Sequence, residues 1–363
     1  MARIVMYVYG NIQTDARVKR AAKALAEKYE LILLSNDCGI AVEDNGYKNV
    51  LLKCESSGVK GYFQSVWEAM KVIRRERPDI FYAHDYYSAL IARLLMDRKY
   101  CKKIVYDAHE LIIPEEGIKS SRMTFFYRME RAIVHKVDLL VCASEERADI
   151  MTKHYKLAHR PLVVENISYL NENYDISKLP IANCLDDFFA DSALTIVYAG
   201  AVMKSRRIDA LFDHALQMAP KVKLLVIGEG DALMEIRAKA VEQTKLRYCM
   251  PGAVPYEALG VILKHCDVGY LYYPTNTLNN INCASNKIYE YASVDLPMVA
   301  NSNPTVKRIL EANRIGVSSD NIGEALNQIL ASLEVYKSHC EFFVENNSWE
   351  KTSQNLLEHI ENL

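Results

Sequence analysis

Residues 285 to 300 read Ser285-Asn-Lys-Ile-Tyr-Glu-Tyr-Ala-Ser-Val-Asp-Leu-Pro-Met-Val-Ala300 and predict a short helix followed by a strand. Ser285 or Asn286 can cap the start of the helix, and the apolar run after Pro297 is typical of a strand. Backbone N–H groups and the positive end of the helix dipole favour an anion at such a start. Glu290, one turn later, can accept hydrogen bonds from paired hydroxyls such as those of a ribose. The stretch therefore predicts a nucleotide site, and a charged residue on an ordinary amphipathic helix is the alternative.

Three further segments of the same half predict loops at the ligand edge of a doubly wound sheet. The β-branched run Leu194–Gly200 precedes the basic segment Lys204–Arg207 and an apolar-periodic helix, an arrangement that suits a phosphate. Gly228 and Gly230 let the backbone turn tightly and approach a ligand. Met250–Pro255 is a turn-rich entry to another helix. Together these segments predict a nucleotide-binding sheet edge.

In this order, the four segments resemble the nucleotide-sugar-binding half of the family-four glycosyltransferases. Segments of the first half resemble the acceptor-side half of that family, and they are Asp15–Val18, Ile104–Leu111, Val137–Ser144 and Leu162–Asn166. The resemblance runs over nearly the whole chain. It implies an α/β protein of GT-B architecture, in which two Rossmann-like doubly wound parallel-sheet domains face a central cleft.

The alternation of strands and helices along the chain independently favours parallel sheets with helices on both faces. The predicted strands are Arg3–Tyr9, Tyr29–Ser35, Asp79–Ala83, Lys103–Asp107, Asp138–Ala143, Leu194–Ala199, Lys223–Ile227, Arg247–Met250, Asp267–Tyr272 and Met298–Asn301. The polar segment Tyr169–Pro180 predicts the interdomain linker. We accordingly expect an N-terminal domain over 1–170 and a nucleotide-sugar-binding domain over 171–340. A C-terminal helix over 341–363 is expected to cross back to the first domain, as the resemblance implies.

Composition excludes several classes of protein. A formal net charge of −2 over 363 residues argues against a general nucleic-acid binder. Residues 1–170 carry 27 Lys+Arg and 22 Asp+Glu, a net +5, and the remainder carries 17 and 24, a net −7, so the first half suits an anionic partner. Nine widely spaced cysteines without a Cys-x-x-Cys pair indicate neither a zinc site nor a disulfide framework, which favours a reducing cytoplasm. Neither a run of about 20 apolar residues nor a signal peptide is evident, so we expect a soluble or peripheral protein.

The resemblance assigns roles to residues on both halves. His109, in Asp107-Ala-His-Glu110, lies where the family keeps a histidine facing the donor sugar, and a satisfied loop histidine is the alternative. Arg206 lies where the family places a basic residue after the glycine at position 200, and a guanidinium forks well onto a diphosphate. Lys287 or Lys204 can assist it, although either lysine can equally be a surface charge. Gly10 would let the first loop approach the donor.

One position departs from the family pattern of two glutamates eight residues apart. Eight positions before Glu290 stands Asn282, so the loop Thr277–Ser285 offers amides and hydroxyls but no negative charge to the sugar. We expect Asn282, Ser285 and Asn286 to contact the donor beside Gly200 and Gly228, with the ribose-contacting role of Glu290 unaffected.

The resemblance implies transfer of a sugar from a nucleoside diphosphate to an acceptor hydroxyl with retention of anomeric configuration. Charge on the leaving diphosphate would be stabilised by Arg206 and by backbone N–H groups at helix starts. The sequence has no Asp-x-Asp triplet for Mg²⁺ or Mn²⁺, so neither a metal nor a cofactor is expected. Asp15 lies at the acceptor mouth or caps its own helix, and capping is favoured.

The acceptor is the least defined partner. Within Pro114–Arg131, three arginines alternate with aromatic residues, which suits an amphipathic helix at an anionic membrane and hence a glycan or lipid-linked glycan acceptor at the inner membrane face. Such aromatics are more often core residues. Two other functions stay open: a nucleotide-sugar epimerase of the same fold, and a catalytically silent nucleotide-sugar-binding subunit.

Overall fold

The computed structural model describes residues 1–12, 15–37, 39, 45–54, 56–115 and 120–363. The chain divides into two compact units: Met1–Asn166 together with Glu350–Leu363, and Ile167–Trp349. The sequence placed the corresponding boundaries at 170 and 340. The segment 169–180, which was expected to be the linker, lies within the second unit, where Leu170 and Leu179 are buried.

The first unit is built on a parallel sheet of seven strands within the part of the chain that the structure describes. The strands are β1 (Arg3–Tyr7), β2 (Glu30–Asn36), β3 (Lys48–Leu52), β4 (Ile80–His84), β5 (Lys103–Ala108), β6 (Leu139–Cys142) and β7 (Leu162–Val163). Their order across the sheet is β3-β2-β1-β4-β5-β6-β7. Strands β2 and β3 thus extend the sheet on one side of β1, and strands β4 to β7 extend it on the other side.

Helices of the first unit connect these strands. They are α1 (Ala16–Ala26), α2 (Gly58–Glu76), α3 (Ala89–Leu94), α4 (Ser121–Ile133) and α5 (Glu145–Tyr155). Side-chain oxygens of Asp15, Ser120 and Ser144 accept hydrogen bonds from backbone N–H groups in the first turns of α1, α4 and α5. Of the two interpretations of Asp15, helix capping is therefore observed. Residues 116–119, part of the segment considered for membrane contact, lie outside the described residues.

The second unit repeats the same plan with six parallel strands. They are β8 (Leu194–Ala199), β9 (Val222–Ile227), β10 (Tyr248–Gly252), β11 (Val268–Leu271), β12 (Met298–Ala300) and β13 (Gly316–Ser318). Their order is β10-β9-β8-β11-β12-β13, which is the strand order of a dinucleotide-binding Rossmann sheet. A layer of buried apolar side chains covers each face of this sheet.

The remaining helices are α6 (Ala182–Phe189), α7 (Ile208–Met218), α8 (Leu233–Val241), α9 (Tyr256–Lys264), α10 (Leu278–Ile281), α11 (Asn286–Ala292), α12 (Pro304–Asn313), α13 (Ile322–Leu330), α14 (Leu333–Asn346) and α15 (Trp349–Glu361). From Glu350 onward, α15 belongs to the first unit, and Glu361 forms a 2.5 Å ion pair with Lys28 there. None of the described helices is long and apolar enough to cross a bilayer.

The predicted GT-B fold class is confirmed by these two Rossmann-like parallel-sheet units. Each predicted strand exists, and its observed ends differ by no more than two residues from the predicted ones. Three strands were missed: β3, β7 and β13. Two of them are only two or three residues long, and β3 begins with Lys48-Asn49, so none shows the apolar run by which a buried strand is recognised.

Candidate functional site

The second unit has a pocket where its strand order reverses. Strands β8 and β11 are neighbours there, although the chain leaves β8 for β9 on the other side, and ligands of open α/β sheets bind outside the strand ends at such a point. A pocket of about 150 Å³ lies at this point and is lined by Tyr198, Ala199, Gly200, Ala201, Arg206, Tyr270, Leu271, Tyr272, Tyr273, Asn286 and Lys287. We call it the switch-point pocket.

A second pocket, of about 230 Å³, lies beside the first at the ends of β8 and β9. Its walls include Ile227, Gly228, Glu229, Val254, Tyr256 and Leu259. Gly200, Ala201 and Lys287 line both pockets. The turn after β8 therefore separates two adjoining spaces, and one lysine reaches both.

Two glycines shape this turn. Gly200 and Gly228 have φ values of +153° and +134°, which residues with a side chain rarely adopt. A Cβ on Gly228 would lie only 1.8 Å from the carbonyl oxygen of Gly200. The N–H of Gly200 donates to the Ile227 carbonyl at 2.9 Å, and that of Gly228 donates to the Gly252 carbonyl at 2.8 Å. Glycine is thus required at 228 for the ends of β8 and β9 to approach so closely.

Arg206 is held in the wall of the switch-point pocket. Its Nη1 donates to the Tyr272 carbonyl at 2.8 Å, and its guanidinium lies 4.6 Å from the centroid of the Tyr273 ring. Such a carbonyl bond and cation–π contact fix the orientation of a long side chain. The structure therefore places Arg206, the residue predicted to bind phosphate, in the wall of the pocket.

The other two cations of the basic segment lie on the surface. Lys204 is 67% exposed and pairs with Glu235 at 2.8 Å, and Arg207 is 54% exposed and lies 3.5 Å from Asp209. Neither lines the switch-point pocket. Of the two lysines that the sequence offered as partners of Arg206, Lys287 lines both pockets and Lys204 lines neither.

Glu290 is completely buried rather than placed at a ligand edge. Its Oε1 accepts from the Tyr256 hydroxyl at 3.1 Å and from Asn286 Nδ2 at 2.8 Å, and its Oε2 accepts from Lys287 Nζ at 2.6 Å. Glu290 was predicted to accept hydrogen bonds from a ribose, whereas both of its carboxylate oxygens already accept from side chains of α9 and α11. Glu290 thereby fixes Lys287 at the pocket.

The polar groups before α11 bond mostly among themselves. Asn282 Nδ2 donates to the Leu278 carbonyl at 2.8 Å, and the Ser285 and Tyr273 hydroxyls lie 2.6 Å apart. The predicted side-chain cap at Ser285 is not formed. Asn286 lines the switch-point pocket, whereas Asn282 and Ser285 line neither pocket.

The first unit gathers a separate buried cluster at the ends of β4 and β5. His84 Nδ1 lies 3.1 Å from His109 Nε2, and Asp107 Oδ2 lies 3.6 Å and 3.7 Å from these two nitrogens. Arg17 of α1 pairs with Asp107 at 2.7 Å, and both side chains are buried. His109 thus stands at the outer end of a charged chain, with 15% of its side chain exposed.

Burial and charge compete within this cluster. Burial alone would raise the pKa of Asp107, but the Arg17 charge, helped by His109, holds it well below its usual range. Burial would lower the pKa of His109, but the Asp107 charge raises it above the ordinary value. Burial lowers the pKa of His84. These pKa shifts favour a cationic His109 that donates its Nε2–H to Nδ1 of a neutral His84.

The same cluster has donor atoms spaced for a metal ion. One atom each from His84, Asp107 and His109 lies within 4.8 Å of the others. Arg17, however, already neutralises Asp107 with contacts at 2.7 Å and 3.3 Å. A divalent cation would stand beside that guanidinium and compete with it for the same carboxylate, so the arrangement suits an ion pair better than a metal.

Asp85, just past the end of β4, has a strained backbone at φ 59° and ψ 168°. This region is essentially restricted to glycine, and such strain concentrates at functional sites. Its Oδ1 is buried without a hydrogen-bond partner among the described residues. Burial raises the pKa of Asp85 to about 7, with the nearby Glu110 and Asp15 raising it further and His109 and the Tyr86 N–H lowering it.

Replacing Asp85 by asparagine should remove a pH dependence of stability. An unfolded aspartate loses its proton near its ordinary pKa of 3.8, whereas folded Asp85 keeps it up to about 7, so rising pH favours the unfolded chain over this window. We expect the Tm of the parent to fall relative to that of Asp85→Asn between about pH 4 and pH 7. The pKa of Glu130 is also raised to about 7, but Glu130 titrates in both proteins. Parallel Tm curves would contradict the assignment.

Sequence reasoning gave no role to Arg17, His84, Asp85 or Tyr256. A signal existed for two of them, because His84 and Asp85 directly follow a predicted strand, where a doubly wound sheet presents its ligand edge. The pairing of Arg17 with Asp107 spans 90 residues and has no local signal.

Gly10, which was predicted to let the first loop approach the donor, has a φ of +136° after β1, and its carbonyl accepts from Asn36 N–H at 3.1 Å.

Comparisons with known proteins agree with this architecture. Residues 16–166 match the model of Glycosyltransferase Family 4, which confirms the resemblance over that part of the chain. Sucrose-phosphate synthase from Thermosynechococcus elongatus is 13% identical, with a TM-score of 0.75 over 100% of this chain and 99% of that one. Anabaena HepE in complex with UDP and glucose is 13% identical, with a TM-score of 0.73 over 100% of both chains. A glycosyltransferase from Rickettsia africae is 15% identical, with a TM-score of 0.69 over 98% and 97%. No curated protein sequence matches the chain.

Proposed function

We propose that this chain, whose N-terminal unit matches Glycosyltransferase Family 4 and whose fold is GT-B, transfers a sugar from a nucleoside-diphosphate sugar to a hydroxyl of a glycan or lipid-linked glycan. The transfer proceeds with retention of anomeric configuration. The second unit holds the nucleotide and its diphosphate, and the first unit takes the acceptor.

The observation that carries the proposal is the pair of cations at the strand-order reversal of the second unit. Arg206 and Lys287 both line the switch-point pocket, next to the glycine turn that allows a ligand close to the backbone. A guanidinium binds two phosphate oxygens through its planar fork, and an ammonium adds a compact point charge. Together they would stabilise the negative charge that grows on the diphosphate as the glycosidic bond breaks.

A bound donor phosphate would become a second partner of the Lys287 ammonium, beside Glu290. Its Nζ bonds Glu290 at 2.6 Å, and 21% of its side chain is exposed toward the pockets. A bound phosphate would share this ammonium with the carboxylate. Glu290 would keep Lys287 in place while Asn286 offers its amide to the same pocket. The ribose-contacting role of Glu290 remains a prediction, as does the sugar-contacting role of His109.

Screening nucleotide sugars by thermal unfolding tests the proposal, and UDP-glucose is the first candidate because HepE is observed with UDP-glucose. A donor present at about 100 times its Kd should add ~2.7 kcal/mol to the free energy of unfolding. Product analysis by NMR then reports the anomeric configuration. If no UDP, GDP, ADP or dTDP sugar stabilises the chain, the nucleotide site is refuted.

We further expect activity without a divalent metal, because Arg206 and Lys287 supply the positive charge at the leaving group and the sequence contains no Asp-x-Asp triplet. The rate of nucleoside-diphosphate release from the stabilising donor should be equal in EDTA and in Mg²⁺. The control is the same assay after dialysis without chelator. Loss of activity in EDTA that Mn²⁺ restores would show that a metal neutralises the diphosphate.

A further inference from the structure

The first unit contains a larger pocket that none of the roles above uses. Its volume is about 570 Å³, and it is lined by Tyr9, Gly58, Val59, Tyr62, Phe63, Tyr87, Ser121, Arg122, Phe125 and Phe126. We call it the aromatic pocket. Its size falls in the range of about 300–1,000 Å³ that small-molecule sites occupy. Six of the lining residues are aromatic, so its ligand should be largely apolar.

The walls of the aromatic pocket are rigidly built. Tyr62 forms edge contacts with Tyr9 and Phe126, each with ring centroids 5.3 Å apart, and its hydroxyl donates to the Tyr87 carbonyl at 2.8 Å. The Tyr87 and Phe126 rings lie 5.0 Å apart. Because Tyr62 and Phe126 are buried in neighbouring helices, the floor of the pocket is part of the packed unit.

The rim of the aromatic pocket leaves apolar side chains in water. Val59 and Phe63, one turn apart on α2, are 74% and 49% exposed. The Phe125 ring of α4 lies 6.3 Å from that of Phe63. Exposed large apolar side chains gathered around a concavity mark a binding site more often than chance exposure does. An apolar ligand would cover them.

Among the described residues that line the aromatic pocket, Arg122 is the one with a positive charge. Arg122 lies over the Tyr87 ring, with its guanidinium 5.4 Å from the centroid, and it also donates to the Tyr87 hydroxyl. Over the part of the chain that the structure describes, no carboxylate forms an ion pair with it. A guanidinium supported by an aromatic ring and lacking an acidic partner suits an anionic group, and phosphate matches its fork.

The location of the aromatic pocket relates it to the chemistry of its own unit. Tyr9 lies two residues beyond the end of β1, and Tyr87 lies three residues beyond the end of β4. These neighbouring strands flank the reversal of strand order in the first sheet, and ligands bind at that edge. Asp85 and His109 follow β4 and β5 at the same edge. A ligand of this pocket would therefore lie at the same sheet edge as Asp85 and His109.

We infer that the aromatic pocket binds the apolar chain of a phosphorylated amphiphile, with the phosphate on Arg122, and that this amphiphile carries the acceptor hydroxyl. The identification as acceptor rests on the proposed function, whereas binding itself does not. Aromatic walls match a chain of prenyl or acyl type, and the lone arginine matches one phosphate group. The acceptor is then a glycan linked to a lipid phosphate, because the glycan supplies the hydroxyl.

Farnesyl phosphate, used in solution below its micelle concentration, probes this site directly by calorimetry. We expect the parent to bind it and the double variant Phe63→Ala/Phe125→Ala to bind it at least about 10-fold more weakly, since two apolar contacts are lost. Both rings are partly exposed, so the fold should persist. Phe342→Ala, at a residue that is 66% exposed on α14, is the matched control and should bind like the parent.

The phosphate contact is tested separately. Arg122→Gln should weaken binding of farnesyl phosphate by about 10-fold and leave binding of farnesol unchanged, because only the phosphate engages the guanidinium. Arg128→Gln, an exposed arginine on the same helix, is the matched control. Equal binding of farnesyl phosphate by the parent and the aromatic double variant would overturn the inference. A second outcome would also overturn it: if these variants still bound farnesyl phosphate like the parent but no longer bound anionic vesicles, the exposed aromatic side chains would contact a membrane surface instead of a single lipid.

Thermal stabilisation by UDP, measured on the same proteins, separates this inference from the proposed function. UDP binding with no binding of farnesyl phosphate refutes the aromatic pocket alone. Binding of farnesyl phosphate without any nucleotide refutes the donor site and leaves the pocket as a lipid-phosphate site. Transfer of sugar to a farnesyl-phosphate-linked acceptor, with the KM raised in Phe63→Ala/Phe125→Ala and kcat little changed, would support both.

Discussion

Arg206→Ala should lower kcat by a factor of about 10²–10³, since a preorganised charge at the leaving group acts mainly in the transition state. The effect on KM should be smaller, because the ground-state diphosphate keeps Lys287. Arg206 is not part of the buried core, so Tm should change little. Measuring kcat and KM separately, with the nucleotide sugar that stabilises the protein, distinguishes the loss of transition-state stabilisation from a loss of substrate binding.

Two companion variants sharpen this test. Arg206→Lys should recover only part of the rate, because an ammonium loses the planar fork and cannot keep both the Tyr272 bond and the stack on Tyr273. Arg207→Ala removes the adjacent exposed cation and should be neutral. If Arg206→Ala turned over at the parental rate while Arg207→Ala did not, the phosphate role would belong to Arg207.

Glu290→Ala should destabilise the second unit by about 1.5–3 kcal/mol, because it removes a completely buried carboxylate that accepts three hydrogen bonds, one of them from the partly exposed Lys287. Lys287, Asn286 and the Tyr256 hydroxyl would each lose an acceptor. The free energy of unfolding from urea denaturation measures the loss. Glu257→Ala, at an exposed position of α9, is the control and should stay within about 0.5 kcal/mol of the parent.

Glu290→Gln separates binding from folding. The amide keeps the shape and an oxygen acceptor for Tyr256, but it no longer attracts Lys287, so the fold should hold while affinity for UDP falls. Calorimetry of the folded variant measures that affinity. Should both variants retain parental stability and parental UDP affinity, Glu290 would have neither role.

The fold was predictable where the signal is local. Long β-branched runs such as Leu194–Ala199 determine their strands, and a glycine at the end of a strand marks a ligand edge. The sequence also placed Arg206 and Lys287 at the same edge. It could not distinguish Lys204 from Lys287, because whether a lysine is exposed depends on neighbours distant in the chain, here Glu235 for Lys204.

The errors have the same physical origin. The burial of Glu290 depends on Tyr256, 34 residues earlier. The walls of the aromatic pocket come from four segments spread between Tyr9 and Phe126, and no single stretch shows that they meet. Arginines alternating with aromatics in α4 suggested a membrane surface, and the structure shows that Phe126 packs inward while Arg122 stays at a pocket rim. Side chains that converge from distant segments leave no periodic pattern in the sequence.

The glycine turn after β8 determines which groups remain to neutralise a donor. The N–H groups of Gly200 and Gly228 are already bonded to strand carbonyls, and that of Val202 donates to the Glu229 carbonyl. These three amides are not free to bind phosphate, so the positioned side-chain charges of Arg206 and Lys287 supply the attraction at this turn. Recognition by side-chain charge rather than by fixed amides is screened by salt over a Debye length of about 8 Å at physiological ionic strength. The affinity of this protein for its donor should therefore depend on the ionic strength of the cell.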